Sequence, residues 1–209
     1  MRAIVNAGAG GVEVLVSMEV PDPTPVGRQI RVRVRAAGLN RADILQRRGA
    51  YPAPPGWPAD IPGMEYAGEV ESVGSGASRW RIGERVMGLV GGGAHAEYVV
   101  VHEDEALPVP ENLSFPEAAA IPEAFLTGYD ALLARGRMER GDCVLIHAVA
   151  SGLGTATIQL AKVLGATVLG TSRSPAKLEL LHALGLDQGI DTSMRPFGEQ
   201  IVAGNDVVI

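Results

Sequence analysis

Gly152 and Gly154 stand in the stretch "HAVASGLGTATIQLAK", His147 to Lys162, after a short apolar run and before a segment with helical spacing. Glycines so placed let backbone N–H groups approach a pyrophosphate, and the helix N-terminus adds unpaired donors and the positive end of a dipole. Thr157 replaces the third glycine of the G-x-G-x-x-G pattern. It is expected to hold helix and sheet slightly farther apart without removing the anion site. A purely structural strand-to-helix turn is the alternative. The next strand, Thr167 to Thr171, ends at Ser172 and Arg173, with Lys177 one helical turn on. An acidic residue at that strand end would accept from a ribose 2′-OH, whereas donors and cations suit a 2′-phosphate. Lys162 and Lys177 are the only lysines in the chain, and a solvated helix lysine is the plainer reading of Lys177. The expected ligand is NADPH rather than NADH.

These residues need elements to hold them, and from Asp142 onward the chain supplies strands in alternation with helices. The segments "CVLIHAV", "LGTATIQLAKVLG", "TVLGTS", "SPAKLELLHALG", "QGIDTS", "RPFGEQIVAG" and "DVVI" predict right-handed βαβ crossovers and a parallel sheet. The first half is β-rich. Segments "VEVLVSMEV", "RQIRVRVRAAGL", "EYAGEVESVG", "ERVMGLV" and "HAEYVVV" alternate apolar and polar residues between Pro and Gly breaks. They predict a small barrel-like or sandwich-like domain, and "NRADILQRR" predicts a helix from Ala42 that ends at Gly49. In "SFPEAAAIPEAFLTGYDALLARG" a Ser cap lies three residues before Glu117 and Pro122 breaks the run. The expected domains are 1–121 and 122–209. A doubly wound domain has six strands, of which three and the start of a fourth are countable here. The expectation is an N-terminal portion of a longer polypeptide, with about a hundred residues to follow by ordinary domain size.

Composition narrows the classes. The chain has 209 residues, 46% hydrophobic, with a net charge of −6. That charge argues against general nucleic-acid binding, which needs a basic face. Arg31, Arg33 and Arg35 alternate with Ile30, Val32 and Val34 and read as the wet face of a strand. No run of 18 apolar residues and no signal-like N-terminus occurs, so the expected compartment is the cytoplasm and no membrane partner is expected. Cys143 is the only cysteine, which excludes an internal disulfide framework and a multi-cysteine metal cage. It reads as a buried small hydrophobe.

From end to end the chain resembles the medium-chain dehydrogenase/reductase superfamily, in its zinc-free quinone oxidoreductase branch. The blocks that carry the resemblance are "EVPDPTPVG", "RVRVRAAGLNRADILQRRGAYP", "PGMEYAGEVESVGSG", "RIGERVMGL" and "GDCVLIHAVASGLGTATIQLAKVLGA". It implies an α/β protein with a GroES-like β-rich N-terminal domain for substrate and a Rossmann doubly wound parallel-sheet domain, the latter truncated. Zinc-dependent relatives carry a cysteine at the start of the segment that here reads "GLNRAD", and a Gly-His-Glu motif where this chain has Gly63-Met64-Glu65. Asn40 and Met64 are not such ligands, and no metal is expected. Glu65 reads as a structural partner.

The resemblance further implies hydride transfer from NADPH to a small quinone, with Asn40 and Tyr51 as the catalytic candidates. Tyr51 would donate a hydrogen bond as charge builds on the acceptor oxygen; its alternative is a loop aromatic packed under "APPGWP". Thr127 matches a position at the nicotinamide carboxamide, and Ser151, Gly152, Leu153, Gly154, Thr155, Ser172, Arg173 and Lys177 complete the expected cofactor set. Thr192 stands where relatives often carry a tyrosine near the adenine phosphate. His147 is expected to be a core group, or one that supports the site from behind, bonded to backbone, and His95 a strand or loop residue. Enone, enal or enoyl-thioester reduction and non-catalytic NADPH binding, as in relatives recruited as crystallins, remain the alternatives. A homodimer through later strands is the expected assembly.

Overall fold

In the computed structural model, which describes residues 1–201 and 206–209, strand β1 (Arg2–Asn6) pairs antiparallel with β2 (Leu15–Glu19). The segment read as one strand from Val12 instead opens with a 3₁₀ turn, Val12–Val14. Strand β3 (Gln29–Ala37) leads to helix α1 (Arg41–Arg47), followed by β4 (Glu65–Val73), β5 (Arg85–Leu89), β6 (Tyr98–His102) and β7 (Ala106–Pro108). These strands form a five-stranded antiparallel sheet in the order β6-β3-β4-β5-β7.

The alternation in β3 has the physical result that its pattern predicts. Ile30 and Val32 are fully buried, each contributing on the order of 1.5–3 kcal/mol. On the other face Arg31 reaches Glu71 at 2.7 Å and Arg35 reaches Glu69 at 2.6 Å. Arg31 and Arg33 lie over the Tyr98 ring at 5.1 and 5.4 Å. The Arg35–Glu69 pair is exposed and worth about 0.2–1 kcal/mol, and the Arg31–Glu71 pair is half-buried, so the buried face holds the strand and the arginines mainly keep the other face wet.

Glu103, between β6 and β7, is fully buried. Its carboxylate accepts from the Arg79 and Ser78 N–H groups at 2.6 and 2.7 Å and from Arg28 Nε at 2.7 Å. Trp80 Nε1 donates to its carbonyl at 2.8 Å. One anion thereby ties two loops to the sheet.

Helices α2 (Phe115–Ala119) and α3 (Pro122–Tyr129) follow, with α2 capped by the Ser114/Glu117 box. The chain divides into two units, Met1–Glu123 and Ala124–Ile209. After α3 comes a π-helical turn, Asp130–Arg135. The second unit continues with β8 (Cys143–Ile146), α4 (Gly152–Leu164), β9 (Thr167–Ser172), α5 (Pro175–Leu181), β10 (Gln188–Asp191) and β11 (Val207–Val208). All four strands are parallel, in the order β10-β9-β8-β11. This is the 3-2-1-4 order of a doubly wound sheet. The segment "RPFGEQIVAG", read as helical, holds a single 3₁₀ turn at Phe197–Glu199, and its last residues 202–204 lie outside the described residues. Among the described residues no helix is long and apolar enough to cross a membrane.

Thr157 is fully buried in α4, and its hydroxyl donates to Leu153 O at 2.7 Å. Its side chain meets α3: a Cβ on Gly128 would stand 2.9 Å from Thr157 Oγ1. The bulk expected to bear on the sheet is met by a glycine on a neighbouring helix.

Two outcomes are expected. Gly128→Ala gains about 1 kcal/mol of helix propensity but overpacks Thr157 at a cost of about 1–3 kcal/mol, a net loss in urea denaturation; adding Thr157→Ala removes the closest contact and leaves only the flexible Leu160 Cδ1 at 3.2 Å, so the double variant is more stable than Thr157→Ala alone. Glu103 is held at about 2 by the Arg79 and Ser78 N–H groups and Arg28. Its stabilisation is therefore complete above the ordinary carboxylate value and is lost as pH falls toward 2. The melting-temperature difference between wild type and Glu103→Gln is expected to shrink across that window.

Candidate functional site

The second unit's turn begins where β8 ends. His147 N–H donates to Ile209 O at 2.7 Å, and Ala148 then takes φ +49°, the left-handed region. Val149 turns inward, fully buried, and its N–H donates to Thr171 O at 3.0 Å. A Cβ on Gly170 would lie 2.6 Å from Val149 Cγ2, and one on Gly154 would lie 2.6 Å from Val149 Cα. These two glycines are required by packing within the protein itself.

Ser151 caps α4: its Oγ accepts from Gly154 N–H at 3.0 Å and its carbonyl from Thr155 N–H at 2.9 Å. Thr155 Oγ1 donates to Gly152 O at 2.9 Å. Among the described residues the N–H groups of Gly152 and Leu153 take no protein partner. A Cβ on Gly152 would meet nothing within 4 Å. The turn therefore offers two unspent backbone donors, the exposed Ser151 hydroxyl and open space above Gly152, which together fit a phosphate anion.

At the end of β9, Ser172 Oγ accepts from Ser174 N–H at 3.2 Å, and Ser172 O accepts from Thr192 N–H at 2.9 Å. Arg173 and Lys177 are exposed, and neither makes an ion pair among the described residues. Asp191 pairs with Ser172 across the strands, but its Oδ1 is turned to Ser193 N–H at 2.9 Å. Thr127, on α3, is exposed.

His147 departs from expectation. Its side chain is exposed, its Nδ1 lies 3.1 Å from Thr171 Oγ1, and Phe197 packs edge-on at 4.7 Å between ring centroids. It is bonded to a hydroxyl at the strand ends, because the backbone turns at Ala148 before the ring can be drawn into the core.

The first unit carries a cavity of about 1050 Å³. Ile4, Leu15, Val34, Leu39 and Ile44 give it apolar walls, and Asn40 and His95 supply polar groups. Asn40 begins α1 and its N–H donates to Asp43 Oδ2 at 2.7 Å. Its Nδ2 donates to Glu65 Oε1 at 2.8 Å, and Glu123 N–H donates to Glu65 Oε2 at 2.9 Å. Glu65 is buried, and a side chain on Gly38 would collide with its carboxylate. It is a structural partner, as its type and place suggested. Burial, with Glu65 and Asp43 nearby, lifts the Glu123 carboxyl above the usual carboxylate range.

Tyr51 is 45% exposed and does not line the cavity. His95 does, and its Nε2 lies 3.1 Å from Gly38 O. His95 lies in the loop before β6, within the strand-or-loop expectation, while Asp43 and Thr171 were not singled out by spacing. Gly63, with φ +103° and no side chain, leaves room for the His95 backbone and ring. Among the described residues no three His, Cys, Asp or Glu side chains gather as a metal-holding group.

The alcohol dehydrogenase GroES-like domain model matches residues 27–111, and the zinc-binding dehydrogenase model matches residues 152–209. A quinone oxidoreductase of Pseudomonas aeruginosa is 38% identical over 206 residues, 98% of this chain and 63% of that protein. The chain thus spans less than two thirds of that relative's length. The quinone oxidoreductase structure from Coxiella burnetii is 34% identical with a TM-score of 0.88, over 100% of this chain and 68% of that one. The quinone oxidoreductase from Thermus thermophilus, solved alone and in complex with NADPH, is 39% identical with a TM-score of 0.83, over 100% and 65%. A GroES-like unit followed by a Rossmann-type parallel sheet, matched along its whole length by such relatives, shows that the chain belongs to the medium-chain dehydrogenase/reductase superfamily, in the branch of the quinone oxidoreductases.

Proposed function

We propose that this chain belongs to an NADPH-dependent, zinc-independent reductase that passes a hydride to a small quinone. The observation that carries the reading is the set of unspent donors at Ser151, Gly152 and Leu153 beside open space at Gly152. Arg173 and Lys177, exposed at and just beyond the end of β9, supply the cations that favour a 2′-phosphate over a bare ribose. The T. thermophilus relative's complex with NADPH supports the same choice. When bound, the nicotinamide supplies the hydride.

The chain's own residues bind, orient and exclude water. Ser151 and the Gly152 and Leu153 N–H groups would hold the pyrophosphate of the bound cofactor, Ser172, Arg173 and Lys177 its 2′-phosphate, and Thr127 its carboxamide. On the acceptor side the apolar walls strip water from a quinone ring. Asn40, fixed by Glu65 and Asp43, lines the cavity, and Tyr51 offers a phenolic donor from its loop. The segment that holds zinc in other members does not fit it here: Asn40 offers a neutral amide where a thiolate would stand, Met64 only a thioether, and both Glu65 oxygens are engaged by N–H groups. The protein is proposed to act as a homodimer in the cytoplasm.

Two experiments follow. With purified full-length protein and a panel of benzoquinone, naphthoquinone and an enone, NADPH oxidation is expected to be fastest with a quinone and to exceed NADH oxidation. Arg173→Ala with Lys177→Ala should raise the NADPH KM about tenfold or more, the worth of a hydrogen bond to a charged group, with the NADH KM unmoved. No quinone-dependent NADPH oxidation would defeat the proposal, and faster enone turnover would reassign the acceptor. Gly152→Ala is expected to leave stability unchanged or raise it by up to about 1 kcal/mol while NADPH affinity falls at least about tenfold as the Cβ fills the phosphate's approach. Circular-dichroism melting and fluorescence titration read the two effects separately.

A further inference from the structure

The side chain of Thr171 is nearly buried, yet its hydroxyl serves two groups of the neighbouring strand end. Ala148 N–H donates to Thr171 Oγ1 at 3.3 Å, and His147 Nδ1 lies 3.1 Å from the same oxygen. Ala148 is one of two residues other than glycine with positive φ among the described residues. An L-residue in that region is strained by roughly 1–2 kcal/mol unless its surroundings hold it. The restraints come from β9: Thr171 Oγ1 takes the Ala148 N–H and Thr171 O takes the Val149 N–H at 3.0 Å. From Ala148 the linkage continues, because its carbonyl accepts from Ser151 N–H at 2.9 Å and Ser151 caps the first turn of α4. Phe197 packs edge-on against the His147 ring.

We propose that Thr171 is a positioning residue for the cofactor: its hydroxyl clamps Ala148 and His147 and so holds the loop in the shape that presents the Gly152 and Leu153 N–H groups. The inference rests on the cofactor reading above. It assigns the end of the second strand of the sheet two separable tasks. Ser172 and the cations beyond it choose the nucleotide, while Thr171, facing the other way, shapes the turn. No step of hydride transfer passes through Thr171.

The test is direct NADPH titration of the full-length protein by fluorescence, with steady-state kinetics beside it. Thr171→Val keeps the shape and removes the hydroxyl, so the NADPH Kd is expected to rise about 3- to 10-fold, the worth of one neutral hydrogen bond. The kcat at saturating NADPH and the KM for the acceptor should stay within about twofold, since neither the hydride donor's ring nor the acceptor cavity is touched. Thr171→Ser should return the Kd to within about twofold of wild type by restoring the hydroxyl. Ala148→Gly in the Thr171→Val background should recover at least half of the loss on a logarithmic scale, because glycine takes positive φ without a clamp. Equal NADPH affinity of wild type and Thr171→Val overturns the inference and leaves the cofactor reading standing, as does a loss that Thr171→Ser fails to restore. A wild-type protein that does not bind NADPH overturns the cofactor reading itself. If Thr171→Val does not fold, His147→Phe removes the Nδ1 contact at an exposed position; a Kd raised at least about twofold supports the clamp, and an unchanged Kd overturns it.

Discussion

The contact on which the second unit depends is the seating of Val149 between two glycines. Its side chain rests where Gly170 has none, and its backbone lies against Gly154, so first strand, second strand and helix meet at one residue. Burying that side chain is worth on the order of 1.5–3 kcal/mol, but its larger effect is geometric. With Val149 locked inward, the residues on either side must turn outward, exposing His147 before it and Ser151 and Gly152 after it. The unspent donors of Gly152 and Leu153 are thus a by-product of a packing decision made beneath them.

The first unit is organised around anions held by N–H groups. Glu103 takes two backbone donors and an arginine, and Glu65 takes an asparagine amide and one backbone N–H. A buried carboxylate is tolerated only when its oxygens are satisfied in this way. One such anion braces loops at the edge of the sheet; the other fixes Asn40 at the wall of the cavity. Loop bracing and cavity wall use the same device, just beyond the end of β6 and at the start of β4.

Much of this was legible in the sequence because it rests on short-range pattern. The two-residue alternation of β3 announced a strand with one buried face, and the apolar run, glycine turn and helical spacing around Gly152 announced the strand, turn and helix found there. Features set by distant residues were not legible. Nothing within ten residues of Thr157 shows that Gly128 makes room for it, and nothing near His147 shows that Thr171 and Phe197 will hold its ring at the surface. Tyr51 stands in a Pro- and Gly-rich loop whose course has no periodicity, so spacing could not tell whether its ring lines the cavity. The 3₁₀ turn at Phe197 replaced an expected helix in a segment that opens with Arg195-Pro196 and carries Gly198, where helix propensity is low.

Gly38 and Glu65 lie 27 positions apart in the chain yet occupy a single volume, the carboxylate filling the space a side chain at residue 38 would take. Such a pair drifts only together. A side chain acquired at position 38 expels the carboxylate, which frees the Asn40 amide and the Glu123 N–H at once. Among descendants of this sequence, the two positions should therefore carry linked histories, with any change at the glycine preceded or accompanied by a shorter residue at 65.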